Sequence, residues 1–269
     1  MKRLLLVAVL LLAGCGEKSS QGPPPPPALA KRCGSAHGDW RTLWFNAADG
    51  TRLDGAELGS GPRGVLFLHE SPSDLCGWEP YAAEVAKRGF HVLIIDLRAY
   101  GLSHRGRYGG IRGAVADVRG AVNELKRLGA ERVAVVGASY GGATALATAP
   151  KLGSEIAGIV SMSGELDIGN AQLHALKAVP EITVPLLIMA SRNDPYLDEE
   201  DARTMLRNAV FSRAQLVEFD GRDHGWNLLA FSHKQRAYLF LISFLRSVSE
   251  YNPIRCTRSG AADARVHAP

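Results

Sequence analysis

Residues 133–147 read Val133-Ala134-Val135-Val136-Gly137-Ala138-Ser139-Tyr140-Gly141-Gly142-Ala143-Thr144-Ala145-Leu146-Ala147. The opening aliphatic run has the character of a strand buried on both faces, and the closing Ala-Thr-Leu stretch is compatible with a helix. Between them lies G-x-S-x-G. A sharp strand-to-helix turn of this kind forces its central serine into strained backbone angles and leaves the hydroxyl exposed. Gly137 and Gly141 keep space free where side chains would clash. The helix that follows adds N–H groups and a partial positive charge. Ser139 is therefore the candidate nucleophile. The competing reading, a glycine-rich turn with an inert serine, does not explain why a strand precedes the motif and a helix follows it.

Working outward, short apolar runs alternate with amphipathic stretches. Candidate strands are Arg41–Phe45, Arg52–Leu58, Gly64–His69, His91–Asp96, Arg132–Val136, Ile156–Met162, Leu186–Ala190 and Gln215–Phe219. Asp49-Gly50 between the first two is a hairpin signal. Helical faces are marked by Trp78, Tyr81, Ala82, Val85 and Ala86, by Val115, Val118, Val122 and Leu125, and by Tyr238, Leu241, Ile242, Leu245 and Val248. A hairpin followed by βαβ units predicts a mostly parallel eight-stranded sheet covered by helices, an α/β architecture.

On these residues the chain resembles the α/β-hydrolase superfamily, from about Trp40 to Val248. Asp96-Leu97-Arg98-Ala99-Tyr100-Gly101-Leu102-Ser103 is similar to the D-x-R-G-x-G-x-S turn after the fourth strand, with Ala99 in place of the usual Gly. The resemblance implies that Asp96 and Arg98 organise that turn. It also places the catalytic base in the loop after the last strand, where His224 stands. The acid falls after the preceding strand, at Asp194. The order Ser139, Asp194, His224 is the order this fold uses. A serine hydroxyl needs a base, imidazole titrates in the right range, and a carboxylate fixes its tautomer. Asp198 reads as a helix cap. Asp223 adjoins His224 but is expected to point away. The other histidines read as surface, packing or loop residues, with His69 orienting its loop.

Val65-Leu66-Phe67-Leu68 runs into His69-Glu70-Ser71-Pro72, which resembles the H-G-x-P loop of the superfamily. The resemblance implies an oxyanion hole made by the backbone N–H groups of Ser71 and Tyr140. Glu70 replaces the usual Gly, so Glu70 and Ser71 both remain candidates for the first donor. A His-Glu pair here is similar to dienelactone-hydrolase-like relatives, whose nucleophile is Cys.

Together these residues point to a serine hydrolase cleaving carboxylic esters through an acyl-enzyme. Peptidase, amidase or acyltransferase chemistry on the same triad is the alternative within enzymes. A non-catalytic envelope lipoprotein that kept the fold is the alternative outside them. No cofactor motif is present and no metal is required. Only residues 164–186 separate the sixth and seventh strands, so no large cap domain is expected and the site should be open to a small-molecule or envelope ester.

The chain ends carry other signals. Lys2 and Arg3 precede a nine-residue apolar run, Leu4 to Leu12, far short of the ~20 residues that span a bilayer. Leu12-Ala13-Gly14-Cys15 resembles the lipobox of bacterial lipoproteins. That resemblance implies cleavage before Cys15, acylation of its thiol and anchoring in the cell envelope, since each buried CH₂ contributes ~0.8 kcal/mol of membrane affinity. The expected organisation is a signal peptide at 1–14, a lipidated and Pro-rich tether at 15–32, a hydrolase domain at 33–257 and a loose tail at 258–269. Export implies an oxidising compartment. Cys33 and Cys256 are the expected disulfide, which would staple the two ends of the domain, with Cys33–Cys76 the alternative. The 269 residues carry a formal charge of +4, too small a surplus to point to nucleic acid.

Overall fold

The computed structural model of the chain describes residues 23–169 and 172–250. Cys15, Cys256, the signal segment 1–14 and the tail 258–269 lie outside them.

The expected sheet forms. β1 (Arg41–Asn46) and β2 (Arg52–Leu58) make an antiparallel hairpin, turned at Asp49-Gly50 with Gly50 at φ 82°. β3 (Arg63–Leu68), β4 (His91–Ile95), β5 (Arg132–Ala138), β6 (Gly158–Met162), β7 (Leu186–Ser191) and β8 (Ala214–Phe219) run parallel to one another. The sheet order is β1-β2-β4-β3-β5-β6-β7-β8, with β2 antiparallel to β4. The sheet is open.

Alternation along the central strands builds two cores. Leu66, Leu68, Val133 and Val135 face one side, where α3 (Gly110–Arg127), α4 (Tyr140–Leu152) and α6 (Glu199–Asn208) pack. Val65, Phe67, Ala134 and Val136 face the other, against α2 (Glu79–Ala86) and α7 (Lys234–Glu250). Burial on both faces explains why these strands read as unbroken apolar runs. Between β6 and β7 only α5 (Ala175–Ala178) and a turn at Val179–Glu181 intervene among the described residues.

Two expectations need correcting. First, Cys33 pairs with Cys76, so the bridge between Cys33 and Cys256 does not form and the alternative pairing stands. Cys76 sits just beyond the loop after β3, and the fold brings it beside the N-terminal segment with Cα atoms 5.3 Å apart. Second, the tether expected over 15–32 gives way to packed chain before its end. Residues 29–33 form α1 (Leu29–Cys33), with Leu29 fully in the core, which contributes ~1.5–3 kcal/mol. Carbonyls of the proline run, which have no partners within a polyproline helix, accept from Trp44 Nε1 at Pro24 and from Thr42 Oγ1 at Pro26. Arg32 reaches inward to both Asp54 and Asp96. Burial and the charge of Asp96 push Asp54 up to about 7 despite that guanidinium. Leu29 and Arg32 thus tie the end of the expected tether to the domain.

Candidate active site

The carboxyl ends of six parallel strands meet at one edge of the sheet, where open α/β sheets bind ligands. Ser139 follows β5, Glu165 follows β6, Asp194 follows β7 and His224 follows β8.

Ser139 is the N-cap of α4, at φ 50° and ψ −117°. A non-glycine residue there is strained, and the surroundings hold it in place. Its N–H donates to Met162 O, and its carbonyl accepts from Ala143 N as α4 begins. The flanking glycines are obligatory on packing grounds. A Cβ on Gly137 would meet Gly141 O at 2.0 Å, and one on Gly141 would meet Leu68 O at 2.1 Å. The elbow is thus wedged against the end of β3.

Asp194 is buried, and its side chain is well supplied with donors. Oδ1 accepts from Tyr196 N at 2.9 Å and Leu197 N at 3.4 Å. His224 Nδ1 lies 2.9 Å from both carboxylate oxygens. This contact fixes the tautomer with the proton on Nδ1 and leaves Nε2 as the free base. Burial opposes protonation of His224, but the bond to Asp194 and the charges of Asp194, Glu70 and Glu165 outweigh it, so its pKa lies above the ordinary 6.5. Asp198 caps α6 by accepting from Asp201 N, as expected. Asp223 stands 3.8 Å from His233 and makes no bond to His224.

The structure brings Asp194 and His224 into direct contact. It does not join Ser139 to His224 by a hydrogen bond. The Ser139 hydroxyl instead donates to Glu165 Oε1 at 3.4 Å, and Glu165 is also among the charges that His224 feels. The sequence reading did not single out Glu165. Its place just past the expected strand Ile156–Met162 was the one signal the sequence carried.

The loop after β3 is tied on several sides. His69 is buried and bridges two segments. Nδ1 donates to Glu70 O at 2.7 Å, while Nε2 accepts from Leu97 N at 3.1 Å. Both ring nitrogens are used in the neutral form, and burial holds its pKa down. It orients the loop, as expected. Tyr100 donates its hydroxyl to Ser71 Oγ at 3.0 Å. Glu70 does more than replace a glycine: its Oε1 accepts from Trp226 N at 2.8 Å and so clips the loop after β3 to the loop bearing His224. Burial, opposed by that bond and by His224, raises its pKa. The backbone N–H groups of Ser71, Glu70 and Tyr140 donate to no acceptor among the described residues. The first turn of α4 therefore offers a donor beside Ser139, and the loop offers another.

The turn after β4 is structural, as expected. Arg98 binds Asp117 through Nε and NH2 and reaches the carbonyl of Tyr108, while Asp96 accepts from Leu75 N and Leu102 N. The remaining described histidines are engaged away from the site, His91 with Glu57 and His37 with Glu79 among them. No cluster among the described residues could hold a metal ion. No described helix is long and apolar enough to cross a membrane.

Comparison with known proteins agrees with this fold. A family model for the alpha/beta hydrolase fold matches residues 65–183, a span holding the oxyanion-loop candidates and the elbow but ending before Asp194 and His224. A 2-hydroxy-6-oxononadienedioate/2-hydroxy-6-oxononatrienedioate hydrolase of Burkholderia vietnamiensis is 28% identical over 175 residues, 63% of this chain. The match covers 58% of that relative's length. The fold is shared with an esterase of Pyrococcus furiosus, at TM-score 0.69 and 18% identity over 82% of this chain and 94% of that one. It is shared also with a dienelactone hydrolase-like promiscuous phosphotriesterase from metagenomic libraries, at TM-score 0.60 and 21% identity over 78% and 99%. With the matched span and the common open, mostly parallel sheet, the chain has the α/β-hydrolase fold.

Proposed function

We propose that the protein is a serine esterase in which Ser139, His224 and Asp194 act as nucleophile, base and acid. One observation carries the reading: a strained, positive-φ serine at the tip of β5 shares the sheet edge with a histidine whose Nδ1 is held by a buried aspartate. The Ser139 hydroxyl turns from Glu165 to Nε2 of His224 as substrate binds; such bonds are commonly long in unliganded sites and tighten in the complex. His224 takes the proton while Ser139 Oγ bonds to the ester carbonyl. The oxyanion is met by N–H groups of Tyr140 and the loop after β3, each contributing ~2.7–4 kcal/mol. Collapse expels the alcohol, which takes its proton from His224. Water then enters by the same route and releases the acid, restoring Ser139.

The short connection between β6 and β7 supplies no large lid among the described residues, which favours small or exposed esters. The lipobox-like run ending at Cys15 supports an envelope location, with the acylated cysteine holding the domain at a membrane. A panel of p-nitrophenyl esters and aminoacyl-p-nitroanilides tests the reaction class. Turnover of the esters is the expected result; turnover of the anilides alone makes the protein a peptidase, and turnover of neither removes the enzymatic reading. For the anchor, Cys15→Ser should release the protein from membranes, and continued tight association would exclude it.

A further inference from the structure

Beside the elbow, on the side of the loop after β4, lies a cavity of about 390 Å³. Its wall toward the site is Tyr100 and Tyr140, whose rings lie 5.7 Å apart. Both belong to the candidate machinery: Tyr140 follows Ser139 directly, and the Tyr100 hydroxyl is bonded to Ser71. The two rings thus stand between the elbow and the cavity.

The opposite wall is basic. Arg105 and Arg107 line it, both exposed, and neither makes an ion pair among the described residues. Arg107 has only the ring of Tyr108 beneath it, and Arg112 stacks on that same ring at 3.5 Å. Two guanidinium groups therefore gather on one tyrosine ring, and Arg105 lines the same cavity, with no carboxylate committed to any of the three among the described residues. The one acid in the lining, Asp117, is bound bidentately by Arg98, and Asp49 is also directed to Arg98. Like charges crowded without counterions cost free energy unless a ligand supplies the opposite sign. Guanidinium forks match carboxylate geometry. The carboxylates Glu70 and Glu165 stand on the triad's side of the elbow, so the two sides of the cleft differ in sign.

We infer that this cavity is a subsite for an anionic group of the substrate, a carboxylate carried some carbons from the scissile ester, received by Arg105 and Arg107. The inference rests on the esterase reading and names its substrate class: half-esters of dicarboxylic acids or their equivalents.

The test compares p-nitrophenyl half-esters of succinic, glutaric, adipic and suberic acids with neutral p-nitrophenyl esters of equal chain length. One chain length should show an advantage in kcat/KM of about tenfold, the lower end for a hydrogen bond to a charged group. Arg105→Gln with Arg107→Gln should remove that advantage and leave the neutral esters unchanged, while Arg105→Lys retains part of it. Both side chains are exposed, and circular dichroism checks that the variants fold. No advantage at any length, or an equal advantage at every length as diffuse attraction would give, overturns the subsite while leaving the esterase intact. A second measurement needs no turnover. Binding of N-phenylglutaramate and of neutral N-phenylpentanamide is followed by NMR titration in wild type and the double variant. Tighter binding of the anion, lost in the variant, supports the subsite even if no ester is cleaved; equal binding of the two amides excludes it.

Discussion

The elbow at 137–142 and the loop at 69–74 face each other across the site, and they are held by different means. The elbow is local. Its strand, its two glycines and its helix are contiguous in the chain, and remote chain meets it at Met162 O, which accepts from Ser139 N, and at Leu68 O beside Gly141. The loop after β3 owes its shape to remote chain: Leu97 on His69, Trp226 on Glu70, Tyr100 on Ser71, and Cys33 on Cys76 at its far end. A nucleophile can be specified by a dozen consecutive residues, whereas an oxyanion loop of this kind needs the whole fold to be in place first.

The contrast can be broken at either end. The largest effect short of removing the serine should come from Asp194→Asn, which leaves the geometry but forfeits the tautomer: kcat for an ester substrate should fall by ~10⁴. Retention of near-full activity would transfer the acid's role elsewhere. Gly141→Ala drives a methyl into Leu68 O, so the elbow must shift. Misplacement by about an ångström costs ~10²-fold in rate, and overpacking costs ~1–3 kcal/mol, so activity and melting temperature should fall together. Opening the loop's fastening with Cys33→Ala and Cys76→Ala, 43 residues apart, should cost ~2–4 kcal/mol in denaturant unfolding. Because the elbow does not depend on that bridge, Ser139 should stay reactive; loss of its reactivity would show the two regions to be one unit.

The smallest effect concerns pH. In the proposed mechanism His224 works as a neutral base, and the bond to Asp194 with the nearby negative charges raises its pKa despite burial. Activity should therefore be lost on acidification through a value above 6.5. Glu165→Gln removes one of those charges, so the acid limb of kcat/KM should move to lower pH, with the alkaline plateau little changed. An unmoved limb would mean that Glu165 does not act on His224.

The same division decides what could be read from residues alone. The elbow, the parallel strands and the turn at Asp96–Ser103 were legible because each is a local pattern. Asp194 and His224 were placed by the resemblance to the superfamily, and the structure brings them into contact. The disulfide partner of Cys33 was not legible, since spacing says nothing about which segments the fold lays side by side. Nor was α1, because a proline-rich composition masks the single buried leucine and the arginine that anchor it. Glu165 and the bond from Trp226 to Glu70 are encounters between strand ends that become neighbours only in the finished sheet.

The central claim is that Ser139 is an activated nucleophile. Fluorophosphonate labelling followed by peptide mass mapping tests it most directly. The account predicts a single adduct on Ser139 in the wild-type protein and none in Ser139→Ala; equal labelling of the variant, or an adduct mapped to another residue, would contradict it.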